Sequence, residues 1–305
     1  MTFLFIFLII ILSIVGIGFY SFVHVMKSPK YDPESMPLNY EITGFGTKKL
    51  VLIHGLTGSK NYWKTDLKSI SQTHHLLLID LLGFGDSPKP NCTYSLSIQM
   101  AAIEEILIKE QFNDGKTIIG GHSMGAIISM ALLQKNQDWF KGGIFISLPY
   151  YRNADEFNKI MSSHSMMDRL TTGKYSKYLC MVHPIFMNKF FKPENLTEEV
   201  YKEAKKHHWQ SYFNSLKEII LKTDLLKIAN KIKDKKVLFI HGEQDFTAPF
   251  ENAKILSKEF TDARFVSFEE GDHQFFLKEA PYVWQTIQDF SNTLEVVPKI
   301  LSKHY

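Results

Sequence analysis

The apolar positions of the chain fall into three patterns. Residues 3–23 are uncharged and almost wholly apolar. As a helix they would span about 30 Å, the thickness of a bilayer core. No polar stripe interrupts any face, as one would on a surface helix. From residue 40 onward, short apolar runs alternate with amphipathic ones. Residues 49–54, 75–82, 117–120, 143–148, 236–241 and 264–268 read as strands, and residues 96–109, 126–134, 250–260 and 281–294 as helices. Near-continuous apolar strands alternating with helices predict a mostly parallel sheet covered on both faces, with ligands at the carboxyl ends of its strands. Across residues 150–234 the alternation stops. The pattern there is helical and rich in methionine and aromatic residues, among them Met161, Met166, Tyr178, Met181, Phe186 and Phe190. This predicts an inserted helical cap. Most of these side chains would pack its own small core, though flexible methionines and aromatics facing a cleft would also suit an acyl chain.

The patterns divide the chain into a membrane anchor (1–27), a proline-rich polar linker (28–39), the first part of an α/β core (40–149), the cap (150–234), the second part of the core (235–297) and a tail (298–305). A cleaved signal peptide is the rival reading of the N-terminus and would give a secreted or periplasmic protein. It would want a basic leading region, a shorter apolar core and a small-residue cleavage site. Met1 and Thr2 carry no side-chain charge and no A-x-A follows, so an uncleaved anchor is expected. Lys27 and Lys30 follow the span, and the positive-inside bias places the rest of the chain in the cytoplasm. The glycosylation-type triplets at Asn91 and Asn195 matter only if the chain faces a secretory lumen.

Composition narrows the classes further. Of 305 residues, 45% are hydrophobic, ample for a sizeable core, and the net charge of +3 makes no electrostatic case for nucleic acid. The two cysteines, Cys92 and Cys180, are far apart without metal-type spacing and read as free thiols. No metal or organic cofactor is expected, and the oligomeric state is left open.

The chemistry centres on Gly121-His122-Ser123-Met124-Gly125, a G-x-S-x-G between a strand run and a helical run. A serine that attacks a carbonyl must stand clear of the sheet on a sharp, strained turn with nearly side-chain-free flanks. Met124 would begin the helix, so its N–H would face charge developing near Ser123. A hydroxyl also needs a base, and the base an orienting carboxylate. His273 follows the last strand run and Asp245 the one before it, so nucleophile, acid and base come in the order expected on such a sheet. Glu243 and Asp272 are rival acids, although Asp272 adjoins His273 in sequence, which makes contact across the ring awkward. Leu56, in the turn after the first strong strand, is the natural second oxyanion donor. His54 reads as structural. His122 is expected to point away from the nucleophile and bond locally, and His207 and His208 to occupy a solvated helix face.

These pieces resemble the α/β-hydrolase superfamily. The matching motifs are H-G-L-T-G at 54–58, D-L-L-G-F-G-D-S at 80–87, G-H-S-M-G at 121–125, G-E-Q-D-F-T-A-P at 242–249 and G-D-H at 271–273. The resemblance implies an α/β-hydrolase fold with Ser123 as nucleophile, His273 as base, Asp245 as acid, and Leu56 and Met124 as oxyanion donors. An apolar N-terminus before such a domain is similar in layout to membrane-anchored monoacylglycerol lipases, which implies lipid or acyl esters as substrates. Leu82 stands where many relatives carry proline or arginine, without evident mechanistic consequence. Thioester, amide and carbon–carbon hydrolysis and acyl transfer share the same parts, and a non-catalytic binding protein on this fold would be expected to have lost one of the three positions.

Overall fold

The computed structural model of the chain describes residues 2–164, 173, 176–186 and 196–295. Met166, Phe190, Asn195 and the tail lie outside them, as do the side chains of His183 and Phe186. Seven strands form one sheet: β1 (Tyr40–Thr43), β2 (Lys48–Ile53), β3 (His74–Ile79), β4 (Thr117–His122), β5 (Phe140–Ile146), β6 (Lys236–Gly242) and β7 (Asp262–Phe268), in the order β1-β3-β2-β4-β5-β6-β7. Only β1 is antiparallel to its neighbour. The strands come out as the apolar runs predicted, except β1. That strand is four residues long and half-buried throughout, so it carries no apolar run.

Helices cover both faces, as a parallel sheet requires. Two layers of apolar side chains result. Val51, Ile53, Ile119 and Phe145 point toward α3 (Leu96–Lys109) and α4 (Met124–Lys135), while Leu50, Leu52, Ile144 and Leu238 point to the opposite face. Fully burying each such side chain is worth about 1.5–3 kcal/mol. Helix α4 is buried on every side from Met124 to Leu133, a position only an apolar helix tolerates. Its close approach depends on the motif glycines. A Cβ on Gly125 would stand 2.1 Å from the Ile53 carbonyl oxygen, and one on Gly121 would stand 2.4 Å from the Gly125 backbone.

The elements outside the sheet differ from expectation in three places. A short α2 (Lys68–Thr73) precedes β3. The last helix begins at Phe276 rather than at Pro281, but a break at Glu279 separates one leading turn from the rest, so Pro281 stands near the start of the longer segment, where its missing N–H costs nothing. Residues 28–39 lie against the core: Leu38 is buried and the Asn91 N–H donates to the Pro29 carbonyl at 2.9 Å.

Among the described residues, 150–234 contributes helices and no strand: α5 (Ala154–His164), α6 (Ser176–Phe186), α7 (Glu198–Ala204), α8 (Trp209–Ser215), a π-helical stretch (Leu216–Leu221) and α9 (Leu225–Ala229). The N-terminal run forms α1 (Thr2–Lys27), whose first half is exposed and whose end packs on the cap. Helices α10 (Phe250–Ser257) and α11 (Phe276–Thr293) complete the core.

Candidate active site

The turn between β4 and α4 places Ser123 at φ 54° and ψ −122°, a left-handed conformation that L residues rarely adopt. It is held there by its own N–H to the Ile146 carbonyl at 2.9 Å. Its hydroxyl therefore stands at the carboxyl edge of the sheet rather than within it. The loop after β7 brings His273 to the same edge, and the loop after β6 brings Asp245.

These three side chains meet. Ser123 Oγ lies 3.0 Å from His273 Nε2, and His273 Nδ1 lies 2.8 Å and 3.0 Å from the Asp245 oxygens Oδ2 and Oδ1. Asp245 is buried, and a buried carboxylate must have its charge met by donors. Oδ1 accepts the N–H groups of Thr247 at 3.0 Å and Ala248 at 2.7 Å. Burial pushes this carboxyl up, but the His273 imidazole and these hydrogen bonds outweigh it and hold it below the ordinary carboxylate value. The two rival acids face elsewhere: Glu243 accepts from the Ser267 hydroxyl at 2.6 Å, and Asp272 accepts from the Gln274 N–H at 2.8 Å.

Leu56 and Met124 flank the Ser123 hydroxyl's surroundings. Leu56 lines the cavity with Ser123, and Gly55 beside it is close enough that an added Cβ would stand 3.0 Å from Ser123 Cβ. Met124 is the first residue of α4, so its N–H has no partner within the helix and is free for charge at the helix N-terminus.

Several histidines take places that local sequence does not announce. His54 is fully buried, accepting the Leu81 N–H at Nε2 at 3.0 Å and sharing 2.7 Å with the Gly55 carbonyl at Nδ1, a structural role as expected. His122 differs from expectation. Its Nε2 lies 2.8 Å from the His273 carbonyl oxygen, a bond across 151 residues that ties the elbow to the base's own backbone. Tyr62 stacks beneath it, ring centroids 4.8 Å apart. Burial, then the neighbouring His273, push His122 down to about 3, so it stays neutral and donates through Nε2–H. His241 Nε2 sits 3.6 Å from Asp245 but spends its hydrogen bond on the Ala248 carbonyl at 2.8 Å, and burial keeps it neutral as well. His207 and His208 lie in the turn before α8 rather than on a solvated face; His207 is buried and His208 caps the helix by accepting the Ser211 N–H. The signal that could have found His122 is weak: it is an ionisable residue set between a motif glycine and the serine.

Above Ser123 the cap closes a cavity of about 220 Å³, lined chiefly by Phe157, Met161, Leu216, Ile220 and Tyr212 with Ser123 and His273 at its base. It is apolar over most of its wall, with a polar end where the relay lies. Such an arrangement can hold an apolar group with a histidine-bonded serine hydroxyl at its polar end.

Comparison with known proteins agrees with this geometry. Residues 48–280 match the family described as alpha/beta hydrolase fold. A probable lysophospholipase, BODYGUARD 4 of Arabidopsis thaliana, is 35% identical over 113 residues, covering 36% of this chain and 27% of that protein. Lipase 3 of Moraxella sp. (strain TA144) is 37% identical over 98 residues, covering 32% of this chain and 30% of the lipase. The matched stretch thus spans less than a third of either relative. Among solved structures, an esterase from Exiguobacterium antarcticum superposes with a TM-score of 0.67 at 20% identity, covering 84% of this chain and 95% of the esterase, which speaks for the fold.

Proposed function

The chain belongs to the α/β-hydrolase family, and we propose that it is a serine hydrolase cleaving carboxylic esters of lipid or acyl substrates, tethered to a membrane by α1. The observation that carries the reading is the unbroken hydrogen-bonded line from Ser123 through His273 to Asp245 at the floor of an apolar cavity. Ser123 Oγ attacks the ester carbonyl as His273 Nε2 takes its proton. Asp245, ionised through the neutral range, holds the Nδ1–H and stabilises the imidazolium that forms. The Leu56 and Met124 N–H groups receive the oxyanion, a contribution of about 3–4 kcal/mol per donor where such donors are removed from related chemistry. His273 then returns the proton to the departing alcohol, leaving an acyl group on Ser123. Water deprotonated by the same imidazole releases the acid and restores the hydroxyl.

The lipid substrate class is supported by the cavity's apolar wall and by relatives named as a lipase and a probable lysophospholipase. Membrane tethering is supported by Phe5–Lys27, long and apolar enough to cross a bilayer. Retention of that helix, rather than removal as a signal, is supported by its packing: Val25 is buried among cap side chains and Asn91 Nδ2 donates to the Met26 carbonyl at 3.3 Å. Asn91 itself is buried and occupied, which leaves no room for a glycan there. Lys27 and Lys30 favour a cytoplasmic catalytic domain by the positive-inside bias. The test is hydrolysis of p-nitrophenyl esters of graded acyl length by the detergent-solubilised full chain, with Ser123→Ala alongside and a fluorophosphonate probe reporting on the serine. Equal rates for the two proteins would remove the reading.

A further inference from the structure

We propose that the cap itself enters the membrane interface, with α6 and the start of α8 lying among the lipid headgroups beside α1. The inference rests on the membrane reading of α1, and its basis is a length. From Phe5 to Ile17 the large apolar side chains of α1 are exposed except half-buried Ile14, and Phe19 and Tyr20 beyond them are exposed too. At Gly18 the helix meets the cap, where an added Cβ would stand 3.4 Å from Val182 Cγ1 of α6. One turn on, the Trp209 indole N–H of α8 donates to the Ser21 carbonyl at 3.4 Å, and Phe22 stacks on the Trp209 ring with centroids 6.0 Å apart. Both contact points lie inside the apolar span Phe5–Lys27, whose 23 residues rise roughly 35 Å as a helix. A bilayer's hydrocarbon core measures about 30 Å, and any tilt of the helix reduces its vertical reach. A spanning α1 that uses this apolar stretch therefore carries Gly18 and Ser21 no farther out than the membrane interface, and the cap residues touching them share that depth.

The side chains at this contact suit the depth. Trp209 is an amphipathic ring with its N–H satisfied by protein, and Tyr178 on α6 is 66% exposed. Lys177 lays its ammonium 5.2 Å from the Trp209 ring centroid and 6.0 Å from that of Phe22, a position from which a lysine reaches toward phosphates while its stem stays on apolar surface. Helix α8 then links membrane and site. Tyr212, three residues after Trp209, packs both on the cluster of Val25, Met181 and Trp209 and on that of Phe157, Met161 and Leu216, and it lines the cavity over Ser123. An acyl chain leaving the bilayer reaches the cavity wall within one helical turn of the interface.

The experiment places one fluorophore at a time in the full chain, reconstituted in phosphatidylcholine vesicles. Labels go on Tyr178→Cys, on Phe7→Cys in the middle of α1, and on Phe45→Cys in the turn before β2, at the sheet end opposite the cap. The native thiols interfere little, because burial raises both, Cys180 to about 12. Fluorophosphonate labelling of Ser123 checks that each variant is folded. The expected result is quenching of the 178 label by phosphatidylcholine bearing a nitroxide near its headgroup, and shielding from aqueous iodide, with the 45 label behaving in reverse. A 178 label as open to iodide as the 45 label, while the 7 label is quenched by lipid, overturns cap insertion and leaves the anchor standing. A 7 label that lipid nitroxides do not quench overturns the anchor, and the inference with it.

Discussion

Replacing Asp245 by asparagine is the sharpest test of the relay, because the two side chains have one shape and opposite hydrogen-bonding demands. Asp245 Oδ1 already accepts the Thr247 and Ala248 N–H groups at 3.0 and 2.7 Å. An asparagine keeps those bonds only with its carbonyl oxygen at that position. Its NH2 group then occupies the place of Oδ2, 2.8 Å from His273 Nδ1. A donor there forces Nδ1 to be the acceptor, and the ring proton moves to Nε2, facing Ser123 Oγ. The serine then has a donor where it needs a base. A wrong tautomer of this kind costs about 10⁴ in kcat, or roughly 5.5 kcal/mol of transition-state stabilisation. KM for a soluble short-chain ester should hardly move, since ground-state contacts are untouched. Glu243→Gln and Asp272→Asn, the two rival acids, should stay near wild type, because their carboxylates serve Ser267 and the Gln274 N–H. Steady-state kinetics on the three variants, with fluorophosphonate labelling as a second readout, decides the matter. An Asp245→Asn enzyme keeping about a tenth of wild-type kcat, or a rival variant falling as far, would refute the assignment.

Three other outcomes follow from the same coordinates. His74, fully buried against the Ser291 hydroxyl, is pushed by burial down to about 4 from an ordinary value of 6.5. It takes up a proton more readily unfolded than folded, so its contribution to stability is complete above pH 6.5 and is lost as pH falls toward 4, by roughly 3 kcal/mol; urea midpoints across this window should fall less steeply for His74→Gln. Asp80, fully buried, accepts from both Lys60 nitrogens at 2.6 and 3.0 Å, whereas half-exposed Asp86 reaches across to Lys206 of the cap at 2.6 Å. Lys60 also reaches Asp86 at 3.3 Å, so Asp80→Asn should cost about 1.5–3 kcal/mol, the loss of one charged hydrogen bond, and Asp86→Asn under about 1 kcal/mol, read from denaturant curves. Met161→Trp, filling the cavity over Ser123, should leave acetyl esters unaffected; displacing three methylenes at about 0.8 kcal/mol each predicts roughly 60-fold lower kcat/KM for longer chains, and an unchanged acyl-length profile would mean that the chain binds elsewhere.

Much of the core was legible because the inner strands β2 to β6 are buried over most of their length and so write themselves as apolar runs, whereas β7 at the edge is largely exposed. Residues 236–241 read as a strand and are one. Strand β1 was not legible because its four half-buried residues pair at the sheet's edge and satisfy no period. The meeting of α1 with the cap was invisible for another reason. Gly18, Ser21 and Phe22 fit a membrane helix as well as any residues do, and their partners Val182 and Trp209 lie more than 160 positions away.

The site divides along the same line. The groups proposed to react sit at the ends of strands, where chain order fixes which loop follows which, and the meeting of Ser123, Asp245 and His273 could be expected from position alone. What positions them comes from non-local approach. The bond from His122 to the His273 carbonyl joins residues 151 apart, and the Tyr62 ring beneath it enters from a third segment. The cavity roof is less legible still: Phe157, Met161, Leu216 and Ile220 recur at helical spacing, four residues apart within each pair, and that spacing is what any helix packed on a core displays. A residue lining a cavity and a residue filling a core obey one pattern in sequence, and only the volume left between them tells them apart. On the proposed reading the chemistry is therefore written in loop order, while the choice of acyl group would be set by how closely four cap side chains approach one serine.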